Sequence, residues 1–191
     1  MEPKIIEDIE KGHGVDFTFR DEAYLVESER WATGIESGAK GMMQKILVID
    51  DEEPLRRLIQ LALRKRGYEV IEADNGDTGM ELARSKLPDL VLCDVRMAKT
   101  DGYMTLNALR NDPVTAAIPF ILMTGRPDNA GMRQGMIQGA DDYLPKPFTI
   151  PELVAAVQAR LKKQEAVRQQ AEQKLADLRA NITLALPHEL F

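Results

Sequence analysis

From Lys45 onward the chain repeats one pattern five times: a short, continuous run of apolar residues followed by an amphipathic stretch. The apolar runs are KILVID, YEVIEA, DLVLCDV, IPFILMTG and DDYLP. The stretches between them, such as EEPLRRLIQLALRKRG, have apolar residues at helical spacing. Unbroken apolar strands separated by helices are typical of a parallel sheet covered on both faces, with right-handed crossovers. The alternation therefore predicts a doubly wound α/β fold with five parallel strands.

The composition is that of a soluble globular protein, with 44% hydrophobic and 29% charged residues. No apolar run approaches the roughly 18 residues that cross a membrane, and the polar N-terminal stretch lacks the apolar core of a signal peptide. The single cysteine, Cys93, has no partner for an internal disulfide. We therefore expect a cytoplasmic location without a membrane partner, and we predict that Cys93 is a small core residue.

The charge is distributed unevenly along the chain. Most of the net charge of -6 falls within residues 1–43, which are only weakly patterned. Charge-rich segments with few apolar residues stay disordered, so we predict a poorly ordered acidic leader there. The remainder shows no basic face, and we therefore expect no nucleic-acid partner.

Polar side chains follow the apolar strands at the ends where a parallel sheet collects its binding sites. The first strand ends in Asp50 and Asp51, the third in Asp94 and the fourth in Thr124, and Lys146 follows the fifth. Buried acids and lysines cost stability unless they are paired, so a set of this kind requires a shared reason. Carboxylate oxygens suit a hard divalent cation, and the lysine beside them suggests a phosphoryl group.

Four stretches, ILVIDDEE, DLVLCDVRMAKTDGY, ILMTG and GADDYLPKPF, occur in order on these elements. Together they resemble the receiver domain of bacterial two-component response regulators, and the resemblance covers roughly residues 44–163. It implies a flavodoxin-like sheet with strand order 2-1-3-4-5, to which the helical spacing of the last segment adds a long C-terminal helix. It also implies a signalling module, not an enzyme in its own right, that accepts a phosphoryl group from a sensor histidine kinase or a phosphotransfer protein.

In that resemblance Asp94 is the phosphoacceptor, whose carboxylate attacks a phosphohistidine and becomes an acyl phosphate. The implied ligands of Mg²⁺ are Asp50, Asp51, Asp94 itself and the backbone carbonyl of Arg96. The cation offsets the repulsion between an anionic nucleophile and an anionic donor. Lys146 is implied to hold a phosphoryl oxygen, and the peptide bond that follows it is expected to be cis.

The resemblance also implies a conformational switch. Thr124 donates its hydroxyl to the bound phosphoryl group, and Tyr143 turns inward when Thr124 moves. Taken singly these residues have simpler interpretations, since Asp51 can be a helix cap, Thr124 a strand-end hydroxyl and Tyr143 a core residue. The complete set favours the functional interpretation. The chain departs from the family pattern at Ala98, where proline is usual.

Two arginines flank the expected phosphoryl site. Arg96 lies two positions after Asp94, and Arg126 lies two positions after Thr124. We hypothesise that they reach the phosphoryl oxygens or obstruct the attacking water, which would lengthen the life of the phosphorylated state. Arginines that face the solvent without such a role are the alternative.

The last segment begins with Thr149 and Glu152 at the spacing of a capping box and continues as one predicted helix. Steps of three and four place apolar residues on one face over residues 154–185, with a polar interruption around Gln164. We predict that the first half of the helix covers the sheet. The second half, residues 164–191, is expected to pair with a second copy as a coiled coil, which gives a homodimer.

The run KLADLRANITLALPHEL resembles the first dimerisation helix of a histidine kinase, in the form found in hybrid kinases with a receiver placed first. In that resemblance His188 is a phosphoacceptor histidine without the rest of its machinery, and the alternative is a terminal residue without chemistry. Three functions therefore remain open. They are a receiver that switches a dimerising helix, a stand-alone interaction regulator or phosphate sink, and an unphosphorylated scaffold.

Overall fold

The computed structural model describes residues 43–125 and 136–185, with the side chains of the last helix described as far as residue 179. Several sequence predictions fall outside these residues. They concern almost all of the acidic leader, most of the amphipathic stretch NAGMRQGMIQG, Arg126 and His188.

Strands and helices alternate along the described chain in the predicted order. The strands are β1 (Lys45–Ile49), β2 (Glu69–Ala73), β3 (Leu90–Asp94), β4 (Phe120–Thr124) and β5 (Asp142–Pro145). The helices are α1 (Glu53–Arg64), α2 (Gly76–Lys86), α3 (Gly102–Asn111) and α4 (Ile150–Ala185). All five strands pair in parallel in the order β2-β1-β3-β4-β5. The predicted doubly wound sheet and the strand order that the resemblance implies are both confirmed.

Both faces of the sheet are buried, because alternate residues of each strand enter different apolar clusters. In β1, Ile46 and Val48 pack on the face covered by α1 and α4, whereas Leu47 and Ile49 pack on the face covered by α2 and α3. Cys93 lies in the second cluster and is fully buried, as predicted. The strands are continuous apolar runs because neither face of the sheet is exposed to water.

Helix α4 begins with the predicted capping box. The Thr149 N–H donates to Glu152 Oε2 at 2.7 Å, and the Glu152 N–H donates back to Thr149 Oγ1 at 3.3 Å. Each residue satisfies a backbone amide that the first helical turn leaves without a partner. This reciprocal pair fixes the first turn of the helix, and with it the start of the path of the helix across the sheet.

One face of α4 is buried at first and exposed later. Leu153, Val157 and Leu161 pack in the core, whereas Leu175 and Leu178 are more than half exposed. The change occurs near Gln164, whose Nε2 donates to the backbone carbonyl of Ala117 at 3.1 Å and so marks the edge of the domain. With 36 residues the helix spans about 54 Å. Among the described residues, no helix is both long and apolar enough to cross a membrane.

Arg110, near the end of α3, joins three separate segments of chain. Its guanidinium donates to the carboxylate of Asp141 at 2.8 Å, and the same carboxylate oxygen accepts the backbone N–H of Phe120 at 2.8 Å. It also donates to three backbone carbonyls, those of Ala116, Ile118 and Gly139. Hydrogen bonds from a charged donor are stronger than neutral ones. Arg110 therefore fixes the entry into β4 against the entry into β5.

We expect Arg110→Met to lower the free energy of unfolding by about 2–4 kcal/mol, because it leaves three backbone carbonyls without this donor and the Asp141 carboxylate without its cationic partner. The matched control is Arg84→Met, since the half-exposed Arg84 guanidinium bonds only the carboxylate of Asp112 among the contacts described. That change should cost under about 1 kcal/mol. Urea denaturation of both variants measures the difference, and equal losses would contradict the structural role assigned to Arg110.

Candidate functional site

Three acids and one lysine meet at the carboxyl edge of the sheet. Lys146 Nζ lies 2.9 Å from Asp94 Oδ1 and 3.1 Å from Asp50 Oδ2. Carboxylate oxygens of Asp50, Asp51 and Asp94 lie within 4.8 Å of one another. The sequence predicted this cluster from strand ends alone, and the structure brings all four side chains together.

The strand register explains the meeting. Ile49 of β1 pairs with Cys93 of β3, so the residues that follow them, Asp50 and Asp94, come side by side. The backbone N–H of Lys146 donates to the carbonyl of Thr124 at 2.7 Å, which extends the pairing of β4 and β5 to the same edge. Lys146 is therefore held beside the two acids by the continuation of the sheet.

Burial and charge oppose each other at this cluster. Asp50, Asp94 and Lys146 are all buried, whereas Asp51 is exposed. Burial raises the pKa of Asp94 from 3.8 to about 6, against the lowering effect of Lys146 and with a smaller increase from Asp50 and Asp51. Burial alone would lower the pKa of Lys146, but the two buried carboxylates outweigh it and raise that pKa. Lys146 thus stays charged and pairs with two of the three acids, Asp50 and Asp94.

Asp51 does not cap α1, although that was one interpretation of its position. The residue at the cap is Glu52, which makes no capping bond with its side chain. The carboxylate of Asp51 instead accepts the backbone N–H of Ala98 at 3.2 Å, from the loop after β3. Proline at position 98 would lack this donor, so the departure from the family pattern adds a contact between the loop and the acidic cluster.

A pocket opens beside the cluster, lined by Glu52, Asp94, Arg96, Gly125 and Lys146. The Arg96 side chain reaches across it, because a Cβ added at Gly125 would lie 3.0 Å from Arg96 Nη2. The sequence placed Arg96 near the phosphoryl site, and its guanidinium does line this opening. The contribution of Glu52 was not predicted, because an exposed acid at a helix start has no distinctive pattern.

Gly102 is a second residue that sequence reasoning missed. A Cβ at this position would lie 2.3 Å from the backbone carbonyl oxygen of Asp94, a separation that real Cβ atoms do not show. The N–H of Gly102 also donates to the carbonyl of Val95 at 3.0 Å. The glycine lets the start of α3 pack directly on the backbone of the acid that ends β3.

Thr124 and Tyr143 lie on the neighbouring strands β4 and β5, with Tyr143 two residues before Pro145, the residue that pairs with Thr124. Thr124 is buried at the end of β4, and Tyr143 packs on the face of the sheet covered by α3. Burial raises the pKa of the Tyr143 phenol, and the nearby phenol of Tyr103 raises it further. The peptide bond between Lys146 and Pro147 is cis, as expected.

A comparison with protein-family models identifies this arrangement. The model of the response regulator receiver domain matches residues 46–158, which is more than half of the chain. The chain belongs to the response regulator receiver family. The receiver resemblance is thus confirmed, whereas the resemblance of the tail to a kinase dimerisation helix stays a prediction.

Curated relatives of this receiver are named as transcriptional regulators. It is 38% identical over 129 residues to the DNA-binding dual master transcriptional regulator RpaA of Synechocystis sp., an alignment that covers 68% of this chain and 54% of that protein. It is 39% identical over 118 residues to the phosphate regulon transcriptional regulatory protein PhoB of Pseudomonas aeruginosa, covering 62% and 52% respectively. The chain therefore spans about half the length of these relatives.

Solved structures show the same fold. The chemotaxis protein CheY4 of Vibrio cholerae is 27% identical, with a TM-score of 0.60 over 62% of this chain and 98% of that chain. The signal receiver domain of a signal transduction histidine kinase from Syntrophus aciditrophicus is 28% identical, with a TM-score of 0.59 over 63% and 91%. Receivers of different parent proteins thus share this scaffold.

The donor set of this receiver fits Mg²⁺. Hard divalent cations bind oxygen ligands, and three carboxylates converge here with a single lysine to balance them. Burial is the main cause of the raised pKa of Asp94, and the charges of Asp50 and Asp51 add a smaller increase, so the ionised cluster has an energetic cost. A cation bound among these oxygens would offset that cost.

We predict that Asp94 makes its own contribution to the pH dependence of the free energy of unfolding. Between about pH 4 and pH 6 the native carboxyl keeps a proton that the unfolded chain has lost, so stability falls as the pH rises through this window. Relative to Asp94→Asn, the free energy of unfolding of the wild type in EDTA should fall by about 1–3 kcal/mol from pH 4 to pH 7.

Asp112→Asn provides the contrast for this measurement. A hydrogen bond from Arg84 lowers the pKa of Asp112, so its ionised form stabilises the native state. Relative to that variant the wild type should lose stability as the pH falls below about 4. Denaturant unfolding across the pH series gives both differences. A wild-type curve parallel to that of Asp94→Asn would contradict the assignment.

Proposed function

We propose that this chain is a phosphoacceptor receiver of a two-component system and that Asp94 accepts the phosphoryl group. The observation that carries the proposal is the placement of Asp94, a buried carboxylate that shares Lys146 with Asp50, lies close to Asp51 and lines a pocket. An ion pair that served stability alone would need only one acid for Lys146. The surplus of acids is instead suited to a cation and an incoming phosphoryl group.

The reaction follows from the positions of the two buried groups. A carboxylate oxygen of Asp94 attacks the phosphorus of a phosphohistidine, and the P–N bond breaks as the O–P bond forms, so that the imidazole leaves with the bonding electrons. A pKa of about 6 leaves Asp94 mostly ionised at neutral pH, as a nucleophile requires. Lys146 can balance charge on the phosphoryl oxygens.

Asp50, Asp51 and Asp94 would hold Mg²⁺, with the backbone carbonyl of Arg96 as a further ligand. The cation would reduce the repulsion between the anionic acceptor and the anionic phosphoryl group. Arg96, whose side chain lines the pocket, is placed to contact phosphoryl oxygens or to restrict the approach of water. The same role was hypothesised for Arg126, a residue that lies outside the described part of the chain.

Thr124 and Tyr143 form the proposed switch. The Thr124 hydroxyl would move to the phosphoryl group, and the Tyr143 ring would follow into the space left behind. The proposal is supported by their adjacent strands and by the position of Tyr143 against α3. Chemistry at Asp94 would in this way alter the surface near β5.

We expect acetyl phosphate with Mg²⁺ to add one phosphoryl group to the wild type, detected by intact-mass spectrometry. Asp94→Asn should abolish the adduct, because an amide cannot form the acyl phosphate. The matched control is Asp89→Asn, which changes an exposed acid at the opposite end of β3. It should label like the wild type, and EDTA should prevent labelling of both.

An adduct that persists in Asp94→Asn would contradict the assignment of Asp94. Complete absence of an adduct in the wild type, repeated with a phosphorylated histidine kinase as donor, would instead favour the unphosphorylated scaffold. These two outcomes separate a wrong acceptor from a wrong function.

The partners follow from the family. Receivers accept phosphoryl groups from histidine kinases, and we propose a sensor histidine kinase or a phosphotransfer protein as the donor here, in the cytoplasm. The curated relatives include a protein named as DNA-binding, and this chain matches about half of each relative described above. The expectation that this chain itself does not bind nucleic acid therefore stays a prediction.

The output that we propose is pairing of the second half of α4 with a second copy of the same helix. Val167, Leu175 and Leu178 are each more than half exposed and lie along one helical face with Ala171 between them. This face continues the one that Leu153 buries against the sheet, so the helix needs a second apolar surface where the domain ends.

Two arrangements would use these paired helices. In a receiver-first hybrid kinase the paired helices would continue into a dimerisation domain that includes His188, and the similarity to a receiver of a histidine kinase is compatible with that arrangement. In a stand-alone regulator or phosphate sink the coiled coil itself would be the output.

The double change Leu175→Lys with Leu178→Lys should convert a dimer into a monomer. Two lysines from each helix would then face one another between the paired helices, and their like charges would repel. The matched control is Gln169→Lys with Gln173→Lys, which adds the same charge on the opposite face of the helix. Light scattering with and without acetyl phosphate measures the mass. A wild-type monomer in both states would remove the coiled-coil proposal.

A further inference from the structure

We propose that Arg56 is a positioning residue for the magnesium site and that Glu72 and Gln60 hold it in place. This inference rests on the proposed binding of Mg²⁺ by Asp50, and it assigns a role to residues that do not line the pocket. Arg56 acts through the backbone of Asp50, which begins the turn between β1 and α1.

The contact with Asp50 is short and charge-assisted. Arg56 Nη1 donates to the backbone carbonyl of Asp50 at 2.6 Å, reaching back from the first turns of α1. Such bonds to a charged donor are about twice as strong as neutral ones. The carbonyl that ends β1 is therefore held by a side chain that belongs to the helix following it.

The guanidinium is itself held by an acid in the neighbouring strand. Arg56 Nε lies 3.6 Å from Glu72 Oε2, and Gln60 Nε2 donates to Glu72 Oε1. Arg56 and Gln60 are one helical turn apart, so both reach the same carboxylate from one face of α1. Both oxygens of Glu72 are thus engaged.

This group is shielded from solvent to an unusual degree for such polar residues. The side chains of Arg56 and Glu72 are 14% and 26% exposed, and Gln60 is buried. Glu72 pairs with Val48 of β1, two residues before Asp50. Polar groups in such a position cost stability unless each has a partner, and here their combined contacts end on the backbone of Asp50.

The result is that Asp50 is held at every polar atom. Its N–H donates to the carbonyl of Ala73, Oδ1 accepts from the N–H of Glu52, and Oδ2 accepts from Lys146. Arg56 supplies the remaining partner, the one at the carbonyl. Loss of this donor frees the peptide that orients the carboxylate, and outer contacts of this kind keep a metal ligand in its binding geometry.

Position and charge predict opposite results when Arg56 is removed. If Arg56 were only a nearby positive charge, its loss would make the acidic cluster more negative and tighten the binding of a cation. If it fixes Asp50, its loss weakens binding in spite of the gain in negative charge. Arg56→Lys separates the two further, since it keeps the charge but one ammonium cannot replace a planar fork that spans Asp50 and Glu72.

The experiment is a titration of the full chain with Mg²⁺ by isothermal titration calorimetry, without any phosphoryl donor. We expect Arg56→Met and Arg56→Lys each to raise the dissociation constant by about tenfold. Arg84→Met is the matched control, because it removes a helical arginine paired with an acid far from the site, and it should bind like the wild type.

A dissociation constant unchanged or lowered in both Arg56 variants would overturn the inference. Absence of Mg²⁺ binding by the wild type would instead overturn the magnesium site on which it rests. If Arg56→Met does not fold, Arg56→Lys still decides, together with hydrogen exchange of the Glu52 amide that donates to Asp50. Exchange of that amide should be faster in Arg56→Lys than in Arg84→Met, and equal rates would also count against the proposed role.

Discussion

The ion pairs of Lys146 with Asp50 and Asp94 are the constraint on which the rest of the structure depends. Asp50 and Lys146 are 96 positions apart in the chain, and all three side chains are buried. Removing charges from water is favourable only when their geometry is good, so the loops and strands that carry them must be held closely. The parallel register of β1, β3, β4 and β5 provides this precision. At the opposite edge of the sheet, the hydrogen bonds of Arg110 hold the starts of β4 and β5 together.

The same cluster brings together buried charges that a bound ligand would stabilise. Three carboxylates and one lysine leave surplus negative charge, and burial, with a smaller contribution from Asp50 and Asp51, raises the pKa of Asp94. A cation and a phosphoryl group are ligands that would satisfy these groups. The backbone around the two buried acids is rigid for different reasons, since Arg56 bonds the carbonyl of Asp50 while Gly102 lets α3 pack on the carbonyl of Asp94.

Helix α4 connects this site to the end of the described chain. Its first half completes the core, and its second half presents the same apolar face to solvent beyond Gln164. A continuous helix is stiff over this length, so a change in how its first half packs would move its second half. Arg160, at 3.1 Å from Asp142, joins the helix to the strand that carries Tyr143.

Local patterns in the sequence determined the fold class, the order of elements, the capping box of α4 and the identity of the acidic cluster. Each depends on periodicity or on residues at strand ends, which parallel pairing brings together by rule. Only the tertiary structure decided that Asp51 contacts the loop at Ala98 instead of capping α1, and that Arg110, Arg56 and Gly102 hold distant segments. An arginine at helical spacing reads as a surface residue, although Arg56 and Gln60 one turn apart, with Glu72 in an apolar strand, were a faint signal. Such contacts depend on side-chain reach between elements far apart in sequence, and that distance is set only when the whole sheet has formed.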